Sequence, residues 1–474
     1  MTLMHILVFG AVALVARLFL REIGRGWLLL AGSVLAMYWM QPAMPLREMD
    51  FWLPTVTLAL TVFSWVLITP ETVRQERKQW VTGGVLAALV LGVALTRYLG
   101  ATGVLTATRP PQTGAVLMGL ALVVGIAWLL GRFTRPAGRV LTVAVVTLIG
   151  LFVVLKWPLL TVWFSAGLRW LSGQAVERAT ALDVRWLGFS YVAFRLIHTL
   201  RDRQNGRLPT VSLQEYINYV LFFPAFSAGP IDRLERFLKD LRALLGDVAE
   251  DLGMGGKRLV VGLFKKFVIA DSLALFALGP QNVGQVTGTG WQWVLVYAYA
   301  LQIFFDFSGY TDIAIGLGRW LGIRLPENFN APYLKPNLTQ FWNNWHMTLT
   351  QWFRAYFFNP LTRSLRTARK PLPATVVILL TQVGTMVLIG LWHGIGWNFV
   401  LWGLWHGLGL FVQNRWTEWM RPRMAWLEAR PRIAAGGRVL ATVLTFHYVA
   451  LGWVWFALPT PTDSLTVLLR LVGG

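Results

Sequence analysis

The chain of 474 residues is 55% hydrophobic and only 14% charged, a balance that excludes an ordinary soluble globular protein. Its formal net charge of +21 could suit a nucleic-acid partner, but the basic residues lie in short connections between apolar runs, so we expect no nucleic-acid binding. The absence of cysteine excludes thiolate catalysis, disulfides and cysteine-ligated metals, and we predict no metal site.

Apolar runs long enough to cross a bilayer follow one another along the chain. A crossing helix needs about 20 predominantly apolar residues. Such runs lie near 3–20, 26–42, 51–69, 80–97, 113–131, 140–165, 258–279, 291–317, 374–392, 397–413 and 438–458. With the less regular stretch 166–230, they predict an all-α polytopic protein of about eleven to thirteen transmembrane or re-entrant helices, embedded in a lipid bilayer.

Basic residues are concentrated at alternate ends of the first apolar runs. Those that follow the first, third and fifth runs are Arg17, Arg21, Arg25, Arg74, Arg77, Lys78, Arg132, Arg135 and Arg139. The intervening connections near 43–50 and 98–112 carry few basic residues. Because cytoplasmic loops are enriched in lysine and arginine, we expect the odd-numbered loops in the cytoplasm and the N-terminus on the other side.

The sequence predicts one integral-membrane domain over 1–474 with three zones. Plain hydrophobic helices occupy 1–165, and C-terminal helices occupy 415–474. Between them, polar residues, prolines and glycines interrupt the helices over 185–410. Irregular backbone at membrane depth is tolerated only where it is buried in protein or lines a wet cavity. We therefore expect the chemistry in the interrupted zone.

Histidine is the candidate for that chemistry, because a titratable group within a membrane is a functional-site hypothesis by default. His393 ends an apolar run and is followed by Gly394 and Gly396, which allow a ligand or another backbone to approach closely. The same pattern also fits a structural histidine at a helix end, whose imidazole only hydrogen-bonds a backbone carbonyl. Both interpretations stay open on the residues alone.

His346 lies in the stretch Phe341-Trp-Asn-Asn-Trp-His-Met-Thr-Leu349. With Thr350 and Arg354 it recurs every four residues, which predicts that the three side chains share one helix face. The surrounding aromatic residues also fit an amphipathic helix that lies in the membrane interface. That alternative accounts for the aromatic residues better than for the histidine.

The other four histidines carry weaker signals. His5 and His447 are interpreted as structural or interfacial, and His198 as a residue of the membrane interface before a basic stretch. His406 lies thirteen positions beyond His393, which is about 20 Å on a continuous helix. We therefore expect His406 outside any centre built on His393, unless the chain breaks between them.

Several stretches between about 185 and 410 follow one another in the order of a known family's motifs. They are Phe222-Phe-Pro-Ala-Phe-Ser-Ala-Gly-Pro-Ile-Asp-Arg233, Gly309-Tyr-Thr-Asp-Ile-Ala-Ile-Gly-Leu-Gly318, Pro326-Glu-Asn-Phe-Asn-Ala-Pro-Tyr333, Phe341–Leu349 with Trp352-Phe-Arg354, Leu391-Trp-His-Gly394 and Gly403-Leu-Trp-His-Gly407. On these motifs the chain resembles the membrane-bound O-acyltransferase family, which includes alginate O-acetylation and teichoic-acid D-alanyl transfer membrane proteins. The first 165 residues resemble it mainly in hydropathy.

The resemblance implies a fold of helices around a reaction tunnel and a set of site residues. His393 corresponds to the family's catalytic histidine, and His346 takes the second polar position that lines the tunnel. The substrate-binding positions implied are Asn344, Trp345, Arg354, Trp392 and Gly394. The family often has an acidic residue after that arginine, whereas this chain has Ala355, and the segment Pro326–Pro332 is expected to support the site without chemistry.

The resemblance also implies an activity. It is the transfer of an acyl group, expected to be acetyl from acetyl-coenzyme A, toward hydroxyls of an extracytoplasmic polysaccharide at the bacterial inner membrane. We expect no permanently bound cofactor, an acyl-coenzyme A or acyl-carrier thioester as donor, and a periplasmic or membrane-anchored acetyltransferase as partner. A neutral imidazole with a pKa of about 6.5 suits removal of the hydroxyl proton.

Other functions remain open at this point. One is D-alanyl transfer from a carrier protein to teichoic acid, and another is acylation of a lipid or protein alcohol. A non-enzymatic transporter would show paired interrupted helices in two halves, whereas this chain shows one interrupted zone. A purely structural membrane scaffold would leave the settings of His346 and His393 without a reason.

Overall fold

A computed structural model describes residues 2–19, 22–100, 104–133, 138–423, 425–426 and 429–474. The α-helices are α1 (Leu3–Phe19), α2 (Glu22–Met40), α3 (Met49–Ile68), α4 (Glu71–Arg74), α5 (Arg77–Leu95), α6 (Thr113–Phe133), α7 (Gly138–Lys156), α8 (Pro158–Leu171), α9 (Phe189–Gln204), α10 (Leu213–Val220), α11 (Leu234–Arg242), α12 (Val248–Leu263), α13 (Asp271–Ala274), α14 (Thr289–Trp320), α15 (Leu338–Asn344), α16 (Met347–Phe353), α17 (Asn359–Arg366), α18 (Ala374–His393), α19 (Trp397–Met420), α20 (Pro431–Ala457) and α21 (Pro461–Arg470). Two π-helical segments are Phe264–Ala270 and Arg354–Phe358. These described ranges contain no strand, so the all-α prediction is confirmed.

Six helices among the described residues are long and apolar enough to cross a membrane. They are Met49–Ile68, Arg77–Tyr98, Thr113–Arg132, Gly138–Lys156, Ala374–His393 and Pro431–Ala457. Several other predicted runs form helices that are shorter or more polar. The apolar helix α1 has only 17 residues, and the run 140–165 divides because Pro158 starts α8. The protein is a multi-pass membrane protein.

The N-terminal arginines contribute to the fold as well as to the charge of the loops. Arg17 is buried and donates to Asp251 at 3.0 Å, while Arg25 is buried and donates to the carbonyl oxygen of Ala243 at 3.1 Å. Arg21 and Arg135, which also entered the orientation prediction, lie outside the described residues. The orientation therefore stays a prediction.

Contacts between residues divide the chain into two compact units. The first comprises Met1–Leu259 with Ile313–Pro326, and the second comprises Val260–Asp312 with Glu327–Gly474. The predicted single domain with its three zones stays a prediction. In the second unit, the motif-bearing loop and helices from Glu327 onward accompany α18 and α19.

Helix α9 is the buried centre of the first unit, with all side chains from Tyr191 to Leu200 buried. It packs against α3, α7 and α10. Arg195 donates to the carbonyl oxygen of Val220 at 2.7 Å, which satisfies the end of α10. The side chain of His198 is 2% exposed, and its Nε2 lies 3.1 Å from the hydroxyl of Tyr219. Its expected place at the membrane interface stays a prediction.

In the second unit, α18 and α19 form a closely packed helical hairpin. Glycines make the approach possible, because small residues allow the backbones of membrane helices to come close together. A Cβ atom at Gly390 would lie 2.2 Å from the carbonyl oxygen of Phe399, and one at Gly403 would lie 2.5 Å from Cα of Val387. The hairpin brings His393 to the turn between the two helices.

Candidate active site

His393 is the last residue of α18 and lies half-buried in an aromatic pocket. Its ring centroid is 4.5 Å from that of Trp392, 4.7 Å from that of Phe456 and 5.9 Å from that of Trp402. The C-terminus of a helix carries a partial negative charge that stabilises a cationic imidazolium.

The glycine after His393 is required by packing within the protein. Gly394 has extended backbone with φ −175°, and a Cβ there would lie 2.4 Å from the ring of Phe399. The close approach anticipated for this position is therefore made by an aromatic side chain of α19. Its predicted contact with substrate stays a prediction.

His346 does not lie on a helix face with Thr350 and Arg354, so the predicted alignment is wrong. Helix α15 ends at Asn344, α16 begins at Met347, and His346 caps α16 with φ +42° and ψ +53°. Tertiary hydrogen bonds replace helical ones at the break. The N–H of Met347 donates to the carbonyl oxygen of Asn328 at 3.0 Å, and the N–H of Asn330 donates to that of Asn344 at 3.1 Å. Left-handed backbone at a residue other than glycine is uncommon and strained.

Asn328 determines which nitrogen of His346 carries the proton. Its Oδ1 accepts from the backbone N–H of Thr348 at 3.3 Å and from the Thr348 hydroxyl at 2.7 Å. Because a backbone N–H can only donate, this atom is the amide oxygen. The same oxygen lies 3.3 Å from His346 Nδ1, so Nδ1 carries the hydrogen and Nε2 keeps the lone pair.

The Nε2 atom of His346 is buried and has no hydrogen-bond partner within the described part of the chain. The side chain is 3% exposed, and its ring meets Phe307 edge-on with 4.6 Å between the centroids. Burial disfavours a charged imidazolium. The ring is therefore a neutral imidazole whose free lone pair can accept a proton or a hydrogen bond.

Trp392 joins the two histidines in one aromatic cluster. Its ring centroid is 6.2 Å from that of His346 and 4.5 Å from that of His393. The three side chains come from α18 and from the turn between α15 and α16, and they lie within the second unit. Residues 46 and 47 positions apart in sequence are thus neighbours through one tryptophan.

Three of the predicted substrate-binding residues have other contacts. Trp345 is 4% exposed and packs in a cluster of aromatic rings. Asn344 donates to the carbonyl oxygen of Gln340 at 2.8 Å, and the exposed Arg354 donates to Oδ1 of Asn343 at 2.5 Å. The structure therefore joins Trp392 to the histidines, whereas the hydrogen bonds of Asn344 and Arg354 go to residues of α15.

The sequence interpretation did not identify Asn328 as a partner of His346. The available signal was an amide residue between two prolines in Pro326–Pro332, a segment expected only to support the site. His406 is fully buried, with its ring centroid 5.0 Å from those of Trp342 and Trp402. The chain does break between His393 and His406, at the turn Gly394–Gly396.

The family model of the membrane-bound O-acyltransferases matches residues 140–451. The chain belongs to the membrane-bound O-acyltransferase family. Both histidines, Trp392 and Asn328 lie within the matched range.

The names of curated relatives point to several acceptor polymers. The teichoic acid D-alanyltransferase of Bacillus subtilis is 31% identical over 282 residues, which are 58% of this chain and 69% of the relative. A probable alginate O-acetylase of Azotobacter vinelandii is 36% identical over 294 residues, 61% of this chain and 53% of the relative. The peptidoglycan O-acetyltransferase of Helicobacter pylori is 29% identical over 313 residues, which are 63% of this chain and 56% of the relative. For the last two, the match spans little more than half of the relative's length.

Proposed function

We propose that the protein is an O-acyltransferase that moves acetyl from cytoplasmic acetyl-coenzyme A toward hydroxyl groups of an extracytoplasmic polysaccharide. The observation that carries the proposal is the cluster of His346, Trp392 and His393, in which one imidazole keeps a buried lone pair on Nε2. Family membership and the names of the acetylating relatives support the same reaction.

In this mechanism His393 is the general base. It takes the proton of the acceptor hydroxyl as that oxygen attacks the thioester carbonyl carbon. The carbon–sulfur bond then breaks, and the thiolate of the donor leaves and recovers the proton from the imidazolium. The helix C-terminus stabilises the transient imidazolium, and a positioned general base contributes about 10²- to 10⁴-fold to the rate.

His346 orients a substrate in the same mechanism. Its neutral ring accepts a hydrogen bond at Nε2 from a hydroxyl or amide group of the donor or acceptor, while Asn328 holds Nδ1–H. Because holding reactants in position removes much of the entropic barrier, this role needs no net proton transfer at His346. Asn328 acts through His346 and is a positioning residue.

The remaining elements of the proposal concern substrates and partners. Donor and acceptor meet in a reaction tunnel lined by the two histidines, with Trp392 and Gly394 beside the reacting groups and Trp345 behind them. Asn344 and Arg354 bind substrate at the edge of the site. A periplasmic or membrane-anchored acetyltransferase completes transfer to the polymer, and the protein lies in the bacterial inner membrane with its N-terminus outside.

D-alanyl transfer to teichoic acid is the second candidate, and a specific observation favours it. Two relatives named teichoic acid D-alanyltransferase are 31% and 30% identical to this chain. The same cluster would serve that reaction, because a hydroxyl also attacks a thioester carbonyl there. Only the donor and the acceptor polymer would differ.

The deciding experiment measures transfer of labelled acetyl from acetyl-coenzyme A by the purified protein with its co-expressed partner and polymer. We expect wild type to transfer label and His393→Ala to lose about 10²-fold or more. His447→Ala is the matched control, because His447 bonds Tyr297 and the carbonyl of Val443 and takes no part in the proposed reaction. Folding of each variant is checked by size-exclusion chromatography.

The outcomes separate the two candidates. If wild type takes no label from acetyl-coenzyme A but takes D-alanine from a carrier-protein thioester, the second candidate replaces the first. If folded His393→Ala transfers label as fast as wild type, the role of His393 as general base is wrong. Substrate flux across vesicles without acyl transfer would instead indicate a transporter.

A further inference from the structure

A large cavity lies within the first unit, between helices α3, α5 and α6. Its volume is about 1050 Å³, and its wall is mainly apolar. On α6 the lining residues extend from Leu120 to Arg132, a distance of about 18 Å along a helix. That is slightly more than half of the about 30 Å hydrocarbon core of a bilayer. The cavity therefore has the depth of one lipid leaflet.

One end of this cavity is polar and basic. Arg74 lies between α3 and α5 and Arg132 lies near the end of α6, and both line the cavity. In an alternating bundle of three spans these positions lie at the same end. Glu71 also lines this end and accepts from Gln75 at 3.0 Å, which leaves one net positive charge among the three ionised side chains.

The two arginines are held at the cavity without a carboxylate partner among the described residues. The Nε of Arg74 is buried and has no hydrogen-bond partner in the described part of the chain. The Arg74 side chain packs against Gly131, because a Cβ atom at Gly131 would lie 2.6 Å from Nη1 of Arg74. The guanidinium of Arg132 lies over the ring of Trp128 at 5.0 Å. Both groups are available to an anion.

Two tryptophans mark the level of this basic end. Trp80 and Trp128 line the cavity and are 70% and 55% exposed. Tryptophan is enriched at the height of lipid headgroups. The basic end therefore lies at the membrane–water interface, and the apolar remainder extends toward the bilayer centre.

We propose that this cavity binds one anionic phospholipid, with its phosphate between Arg74 and Arg132 and an acyl chain along α3, α5 and α6. The depth of the cavity matches one leaflet, its apolar wall matches an acyl chain, and its basic end complements a phosphate. Small residues leave the space open, since a Cβ at Gly83, Gly84 or Gly125 would meet no neighbouring atom within 4 Å. This site lies outside the histidine cluster and does not depend on the proposed reaction.

The headgroup is tested by native mass spectrometry of the full-length protein, titrated with phosphatidylglycerol and separately with phosphatidylcholine. We expect one phosphatidylglycerol to bind at least about tenfold more tightly than phosphatidylcholine, and Arg74→Gln/Arg132→Gln to remove that difference. The control Arg178→Gln/Arg207→Gln makes the same charge change at exposed positions that do not line the cavity, and should bind like wild type.

The cavity itself is tested by Gly125→Leu, which places a side chain in the open space. Gly150→Leu is the matched control, because Gly150 lies on α7, does not line the cavity and also has no atom within 4 Å of its Cβ position. We expect Gly125→Leu to lose the bound lipid and Gly150→Leu to retain it. Equal binding of both lipids by wild type, or wild-type binding by either cavity variant, would overturn the proposal.

Discussion

His346 owes its orientation to a residue 18 positions earlier in the chain. Asn328 bonds His346, the hydroxyl of Thr348 and two backbone N–H groups of the same turn. The turn includes a left-handed residue, which costs about 1–3 kcal/mol and persists only where the surroundings determine it. The hydrogen bonds to Asn328 hold this turn in its left-handed conformation.

Replacement of Asn328 by leucine tests this positioning role. Asn328→Leu removes the acceptor of Nδ1–H, so the ring can turn or exchange tautomers. We expect acyl transfer to fall about 10- to 100-fold, the range known for the hydrogen-bond partners of metal-binding histidines, because ring orientation matters in the same way here. The measurement is kcat and KM for acyl transfer, together with the thermal unfolding temperature.

The control for this variant is Thr348→Val, which removes one hydrogen bond to the same oxygen but leaves His346 with its partner. We expect a stability loss of about 1 kcal/mol with acyl transfer largely retained. A fall in activity that follows the fall in stability equally in both variants would reduce Asn328 to a structural residue.

Helix breaks were the feature that periodicity predicted least well. The repeat of four from His346 to Arg354 is helical in the sequence, yet the backbone turns away at Trp345 and His346. Hydrogen bonds from Asn330 and to Asn328 compete with the helical pattern there. Periodicity reflects the local preference of a segment for helix. It does not account for hydrogen bonds from a segment that is distant in sequence.

The hairpin of α18 and α19 leads to a second prediction. Gly403→Val would force a side chain into backbone atoms of α18, since even Cβ would lie 2.5 Å from Cα of Val387. We expect the overpacked core to lower the free energy of unfolding by about 1–3 kcal/mol or more. We also expect the variant to displace His393. Thermal unfolding in detergent and acyl transfer measure the two effects.

Gly384→Val is the companion variant, because a Cβ at Gly384 on α18 meets no atom within 4 Å. It should unfold near the wild-type temperature and keep its activity. If the two glycine variants are equally stable, close packing at Gly403 does not hold the hairpin together.

Orientation in the membrane is a property of the whole molecule. The buried contacts of Arg17 and Arg25 show that some basic residues near the loops also serve the fold. The loops after α3 and α2 still differ in basic content, and they should lie on opposite sides of the membrane.

The absence of cysteine makes this prediction simple to test. Ala43→Cys and Thr72→Cys place single thiols at exposed positions in the two loops. A membrane-impermeant maleimide should label Ala43→Cys in intact cells and Thr72→Cys only after permeabilisation. The reverse pattern would place the N-terminus in the cytoplasm and invert the sides proposed for donor and acceptor.

The sequence by itself determined the class of the molecule and the family. Hydropathy over about 20 residues decides whether a helix is stable in lipid. The ordered motifs predict the family, and the family match over residues 140–451 confirms it. Both properties depend on short stretches of sequence, so they can be predicted from the sequence of this chain alone.

Only the tertiary structure decided the neighbours of each histidine. It joined His346 to Asn328 and Trp392, divided the predicted helix at His346, and directed the hydrogen bonds of Asn344 and Arg354 toward α15. It also buried His198 in the first unit. The physical reason is that burial, tautomer and backbone strain depend on contacts between segments that are distant in sequence, and such contacts exist only once the chain has folded.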